Sequence, residues 1–328
     1  VMGTKAKAIR IASQGGPDVL TIADVELPPP GEGEVLLRQT AIGLNFLDVY
    51  FRDGSYPMDL PAGIGAEAAG VVEATGAGVT GLKVGDRVAY GGSAPGAYAN
   101  YRIMPAARLV QIPDGVSDEA AAAVLMKGMT VEYLLNRCHV VQAGQQVLFY
   151  AASGGVGLIA GQWGRHLGAR MIGVTAGDDK IKLALAHGYD AVIDRKRENI
   201  SERARALTGG KGVAVAYDSV GKTTFEDTLA SLAPRGLFVT FGATTGAPPP
   251  LEAARLQKNG SLYYTRPTLA TYIAAREDLV ASAAAVFDLV RKGVITPQVG
   301  QRYALADAAK AHRDLEAGQT RGSSILMP

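Results

Sequence analysis

The chain has 328 residues, of which 48% are hydrophobic, enough material for about two domains with sizeable cores. Its formal net charge of +2 is spread without basic runs, which excludes nucleic acid and anionic membranes as principal partners, and no apolar run approaches the roughly 18–20 residues of a membrane helix. Cys138 is the only cysteine, so no intrachain disulfide framework or multi-cysteine zinc site can form, and a reducing, cytoplasmic setting is expected. The opening Val-Met-Gly-Thr carries no usable pattern and does not read as a signal peptide.

In chain order, residues 5–44 alternate strand-like runs (6–12, 20–27 and 35–44) with Gly15-Gly-Pro17 and Pro28-Pro-Pro-Gly31 as breakers, an all-β opening. Asn45 stands where a helix cap belongs and Gly54 where a helix stops, which predicts a short helix between them. Strands resume over 67–75 and 87–90, and 98–103 with 108–112 complete a small barrel. Two helices, 117–126 and 130–137, lead into a different regime. There, strands over 147–151, 170–175, 191–194, 213–218, 237–241 and 261–265 interleave with helices over 178–187, 200–207, 225–232 and 251–257. That alternation predicts a doubly wound parallel sheet of the Rossmann kind. A long helix near 272–291, a strand at 302–305, a helix over 307–315 and a strand at 323–326 revert to mixed α/β and are expected to return to the first domain. The expected division is therefore 1–123 with 269–328 for the β-rich domain and 124–268 for the doubly wound one.

The most informative stretch is Gln146 to Gly161. A short apolar strand run is followed by Gly154, Gly155, Val156 and Gly157, matching G-x-G-x-x-A where a backbone must approach a pyrophosphate. Val156, Ile159, Ala160, Trp163 and Leu167 then recur at helical spacing, so the helix's unpaired N–H groups and positive end point back at the turn. Together with the strand over 170–175 this is a βαβ dinucleotide cradle.

Several strings, in order along nearly the whole chain, carry a family resemblance. They are Gly15-Gly-Pro17, Ala41 to Tyr50, Gly65-Ala-Glu-Ala-Ala-Gly-Val, Val84-Gly-Asp-Arg-Val88, Lys127-Gly-Met-Thr130, Ala151 to Gly157, Tyr217-Asp-Ser-Val-Gly221 and Gly322-Ser-Ser324. The pattern resembles the medium-chain dehydrogenase/reductase superfamily, and within it the zinc-free quinone oxidoreductase (zeta-crystallin-like) family, bacterial NADPH:quinone reductases in particular. The resemblance implies an α/β protein with a β-rich GroES-like catalytic domain, a Rossmann domain and a homodimer formed near the 261–265 strand. Zinc-dependent relatives carry a histidine in a Gly-His-Glu string; here Ala66 stands in its place. With Cys138 alone and His139, His166, His187 and His312 scattered without ligand spacing, no metal is expected.

The second strand of the cradle ends in Thr175, Ala176 and Gly177, small and neutral where NAD-preferring sites carry an acid, leaving room for a 2′-phosphate. Lys180 and Arg195 can supply positive charge, so NADPH is the expected cofactor, with Asp178 and Asp179 as helix-capping residues or rival ribose ligands. The resemblance also places a lysine at Lys180; relatives often carry tyrosine or histidine where this chain has Arg195. Further cofactor contacts are expected at Asn45, Phe46, Lys127, Thr130 and Tyr133, and at strand ends through Val220, Phe241, Gly242, Ala243 and Thr244. Pro267, Thr268, Leu269 and Gly322 complete that set.

A nicotinamide delivers hydride, so the protein must place it against an electrophilic carbon, exclude water and stabilise developing negative charge. The expected catalytic residues, in a cleft between the domains, are Asn45, Tyr50, Tyr56 and Thr130. Asn45, Asp48, Tyr50, Arg52 and Tyr56 are expected to contact substrate, with orientation of a neighbour as the alternative role for Asp48. Reduction of a small quinone suits so sparse a site. The alternatives are reduction of an enone or alkenal double bond, and a non-catalytic NADPH-binding role of crystallin or RNA-binding type.

Overall fold

The structure is a computed structural model that describes residues 3–328; the opening Val-Met dipeptide lies outside the described residues. The chain divides into two compact units. One takes the residues up to Lys127 with Ile273–Lys292 and Pro297–Pro328; the other takes Gly128–Tyr272 with Gly293–Thr296.

In the second unit six parallel strands lie in the spatial order Ala191–Asp194, Arg170–Thr175, Gln146–Tyr150, Val213–Asp218, Leu232–Thr240, Tyr263–Thr265. Winding reverses between the first strand in the chain, Gln146–Tyr150, and the fourth, Val213–Asp218, and ligands of such sheets bind at the carboxyl ends beside that reversal. Val147, Leu148, Phe149 and Tyr150 are all buried, because helices cover both faces. This is why the strand reads as an unbroken apolar run rather than an alternating one. Leu148, Ile172, Ile193, Phe225 and Phe238 belong to the cluster that forms the core.

Two sequence expectations change. The helices predicted over 117–126 and 130–137 are one helix, Asp118–Tyr133, which ends in a π-helical turn, Leu134–Cys138. Gly128 costs a helix interior about 1 kcal/mol relative to alanine, but residues 121–129 are buried throughout, so packing overrides it. The long helix predicted near 272–291 is present but begins at Arg276, as Arg276–Arg291, and a separate short helix, Leu269–Tyr272, precedes it.

The first unit is β-rich. Thr21–Leu27, Thr4–Ile11 and Ala62–Gly63 form a three-stranded sheet; a seven-stranded one runs Val299–Ala304, Ser323–Met327, Glu34–Leu44, Glu67–Thr75, Arg87–Gly91, Val110–Gln111, with Tyr101–Pro105 also on Glu34–Leu44. Glu34–Leu44 pairs with Glu67–Thr75 through two register shifts, which bend the strand and curl the sheet around Ile42, Val72, Val88 and Leu326. The C-terminal strand Ser323–Met327 pairs antiparallel with Glu34–Leu44, so the tail returns to this sheet.

Candidate functional site

The cradle begins where the Gln146–Tyr150 strand ends. Ala151 takes a positive φ of 51°, Gly154 caps the helix Gly155–His166, and the first-turn N–H groups face the turn. Gly157 is required for a reason the motif alone does not show. A Cβ there would lie 2.1 Å from the Ala151 carbonyl oxygen and 2.8 Å from Ala152, so the glycine lets helix and turn touch backbone to backbone. Tyr189, fully buried, donates its hydroxyl to the Gly157 carbonyl at 2.6 Å, and Ser153 and Thr175 share a hydroxyl bond at 2.8 Å. The Thr175 side chain is thereby buried and engaged, while Ala176 is half-buried and Gly177 exposed.

Gly177 has φ 95°, and a Cβ placed on it would meet nothing within 4 Å, so space opens at the end of the second strand. Arg195 is exposed and its backbone N–H bonds the Thr175 carbonyl at 3.0 Å, which brings it to that strand end. Lys180 sits half-buried in the first turn of the following helix, Asp178–Ala186. The rival acid Asp178 is paired with Arg197 at 2.7 Å, and the Arg197 guanidinium holds its carboxyl below the usual range. The helix's cap residue is Gly177, not an aspartate.

Asp218, fully buried at the end of the Val213–Asp218 strand, organises the next loops; it lies in the string Tyr217-Asp-Ser-Val-Gly221 but is not among the expected site residues. Its Oδ1 accepts the N–H groups of Val220 and Gly221 at 2.8 and 3.1 Å, and its Oδ2 the hydroxyls of Thr224 and Thr228, both at 2.7 Å. Phe241 and Thr244 donate backbone N–H groups to Asp218 and Ser219, and a Cβ on Gly242 would strike the Ser219 carbonyl at 2.6 Å. Val220, Phe241, Gly242, Ala243 and Thr244 are thus brought together at adjoining strand ends. Arg266 donates to the Thr240 carbonyl at 3.2 Å just before Pro267 and Thr268, and Leu269 is buried. Tyr133 is buried too, its ring stacked 4.4 Å from Tyr272. Thr130 is half-buried one turn earlier. Burial pushes the Cys138 thiol up, the opposite of what a reactive thiolate needs.

In the β-rich unit the centre is Glu67, which lies in the string Gly65-Ala-Glu-Ala-Ala-Gly-Val but is not among the expected site residues. It has no exposed surface. Its Oε2 accepts from Asn45 Nδ2 at 2.8 Å and Lys127 Nζ at 3.2 Å, and its Oε1 accepts the Met126 backbone N–H at 2.6 Å. A Cβ on Gly43 would lie 2.4 Å from Glu67 Oε2, so that glycine makes room for the carboxylate. The signal able to single it out within that string is a lone acid in the apolar run Ala66-Glu-Ala-Ala-Gly70.

Asn45 caps the helix Phe46–Asp53, where Asp48 Oδ2 accepts the Asn45 backbone N–H at 2.9 Å and the Tyr98 hydroxyl at 2.8 Å. Tyr50 and Tyr56 are half-buried with ring centroids 5.4 Å apart, and Phe46 lies 6.3 Å from Tyr50. Arg52 does not join them. It is 1% exposed, forked onto Glu316 by two 2.8 Å bonds, and bonded to His312 Nδ1 at 2.9 Å and the Gly15 carbonyl at 3.1 Å. The expectation that Arg52 meets substrate is therefore corrected, since it is buried and spends its donors inside this unit; Asp48 is buried too, and its bond to the Asn45 N–H fits the alternative role of orienting a neighbour. Gly322, at φ 58°, precedes Ser323, whose hydroxyl bonds the Ala123 carbonyl at 2.8 Å.

Two family models match the chain, "Alcohol dehydrogenase GroES-like domain" over residues 31–114 and "Zinc-binding dehydrogenase" over 155–281. A quinone oxidoreductase of Pseudomonas aeruginosa is 47% identical over 98% of this chain and 100% of its own. The chain belongs to the quinone oxidoreductase family of the medium-chain dehydrogenase/reductase superfamily. The quinone oxidoreductase of Escherichia coli solved in complex with NADPH has a TM-score of 0.96 to it, at 44% identity over 98% of this chain and 100% of the other. A 2-haloacrylate reductase of Burkholderia is 40% identical over 97% of this chain and 98% of its own.

One family model carries zinc in its name, and the residues of this quinone oxidoreductase family member do not fit that ion. Ala66 is a buried methyl group, Cys138 is a lone thiol, and no group of three His, Cys, Asp or Glu able to hold a metal occurs among the described residues.

Proposed function

We propose that this protein is an NADPH-dependent quinone oxidoreductase that reduces a small quinone without a metal. The observation that carries the reading is the second-strand end, where Gly177 leaves open space and Arg195 is tied to Thr175, beside a glycine turn that only bare backbone can occupy. Relatives named quinone oxidoreductases, one of them solved with NADPH, support it over the full chain length. Bound NADPH supplies a hydride. The first-turn N–H groups at Gly155 to Gly157 hold the pyrophosphate; Lys180 and Arg195 meet the 2′-phosphate; the Asp218-ordered loops orient the nicotinamide. Asn45, oriented through Glu67, and the Tyr50–Tyr56 pair receive the quinone, and Thr130 contributes a hydroxyl. The remaining proposed contacts are Phe46, Lys127, Tyr133, Ala176, Val220, Phe241 to Thr244, Pro267 to Leu269 and Gly322.

Purified protein should oxidise NADPH in the presence of a small quinone; binding of NADPH without quinone-dependent turnover would refute the reading. The Burkholderia relative favours a second one, reduction of an activated carbon–carbon double bond, which a comparison of quinone with alkenal turnover separates. We further propose a zeta-crystallin-like, cytoplasmic homodimer. Tyr263 on the last strand of the parallel sheet is 64% exposed, and an aromatic sheet edge is normally covered. Elution as a 34.1 kDa species would count against the dimer.

A further inference from the structure

Within the β-rich unit a single hydrogen-bonded chain runs from Glu316 through Arg52, His312, Tyr98 and Asp48 to the backbone of Asn45. Arg52, His312, Tyr98 and Asp48 are each no more than 1% exposed. The chemistry of one member determines the direction of the rest. A guanidinium can only donate, so His312 Nδ1, 2.9 Å from Arg52, must accept. A neutral imidazole then carries its proton on Nε2, which donates to the Tyr98 oxygen at 3.0 Å. Tyr98 in turn donates to Asp48 Oδ2 at 2.8 Å, the same oxygen that accepts the Asn45 N–H. Asn45 is thereby held twice, by Asp48 through its backbone and by Glu67 through its side chain.

We propose that Tyr98 and His312 are positioning residues for Asn45, acting through a hydrogen-bond chain whose direction Arg52 sets and whose last acceptor is Asp48. Its kinetic consequence rests on the quinone-reductase reading; the direction of the chain does not. Burial and Arg52 push the His312 imidazole down to about 3, so it stays neutral. Burial lifts Asp48 to about 7 against the donors Asn45 and Tyr98 and the charge of Lys127, with Glu67 adding to the rise. The charged and titratable groups around this carboxyl are therefore Tyr98, Lys127 and Glu67, with Arg52, His312 and Glu316 further along the chain. Asp48 Oδ1 is buried without a hydrogen-bond partner, so a proton taken up there leaves both Oδ2 bonds in place but weakens them.

Two measurements test the proposal. Nitrogen-15 NMR of labelled protein, with His312→Gln to assign the signal, should show His312 as the neutral Nε2–H tautomer from about pH 5 to about pH 8. An imidazolium or an Nδ1–H form in that range would overturn it. In kinetics normalised to NADPH-binding sites, Tyr98→Phe and His312→Leu should lower kcat for quinone at least about tenfold while NADPH affinity stays within about twofold. His312→Gln should recover most of that loss, because its amide accepts from Arg52 and donates to Tyr98 as the imidazole does. Wild-type kcat in folded His312→Leu, or equal impairment by Gln and Leu, would overturn the proposal. If the unaltered protein fails to turn over quinone, the functional reading falls, and the tautomer still decides the chain.

Discussion

The two units make their sites from different materials. In the parallel-sheet unit the cradle is backbone: Gly154, Gly157 and Gly177 matter for the side chains they lack, and the parts that meet lie within a few tens of residues. In the β-rich unit the candidate site is made of side chains that find one another across the whole chain, Arg52 with Glu316 at a separation of 264 residues and Asn45 with Glu67 at 22. At Gly157 such a backbone site tolerates no added methyl group. A side-chain network fails when a single partner is removed.

The largest effect that would sharpen this contrast is expected at Glu67. Glu67→Ala strands the Lys127 ammonium, 6% exposed, without its countercharge and should cost on the order of 4 kcal/mol in urea unfolding. A loss under about 1 kcal/mol would show that the network is not what holds this unit. Next comes Gly157→Val, which drives a side chain into the Ala151 carbonyl and should cost about 3 kcal/mol and abolish NADPH binding by calorimetry. Retained NADPH affinity in that variant would break the backbone half of the comparison.

The buried chain also makes a prediction in pH. Asp48, raised by burial to about 7 from 3.8, binds a proton more readily folded than unfolded, so its stabilisation is full below the unfolded value and lost as pH rises toward 7. His312, lowered by burial and Arg52 to about 3 from 6.5, does the reverse, and stability falls as pH drops from 6.5 toward 3. Between about pH 4 and about pH 6.5 the two slopes oppose and the protein's stability should be nearly flat. Asp48→Asn should make stability rise with pH across that window and His312→Gln should make it fall, each by on the order of 3 kcal/mol. Slopes of the same sign in both variants would rule out the opposed pair.

Smaller effects are expected at the cofactor's charged end. Arg195→Ala should raise KM for NADPH about tenfold, roughly 1.4 kcal/mol, and leave that for NADH nearly unchanged. An equal rise for both would remove Arg195 from phosphate recognition. Smallest of all, Asp178→Ala should leave the melting temperature and the NADPH/NADH ratio unaltered, since its exposed pair with Arg197 is open to solvent on both sides.

Legibility in the sequence follows the same division. The six parallel strands, the glycine turn and the neutral end of the second strand are legible because a βαβ unit writes its backbone geometry into one short stretch of apolar period and glycine spacing. The helix Asp118–Tyr133 reads as two pieces broken near Gly128 because local propensity cannot see the burial that overrides it. Arg52 reads as a substrate contact from its place beside Tyr50, and His312 reads only as a structural or exposed histidine with no partner named. Only the fold shows that the two are bonded, with Tyr98 and Asp48, in one buried chain. By itself the sequence determined the fold class, the dinucleotide cradle and the lack of a zinc ligand set. The tertiary structure decided which polar side chains are spent on one another, because partners 264 residues apart leave no period for a sequence to display.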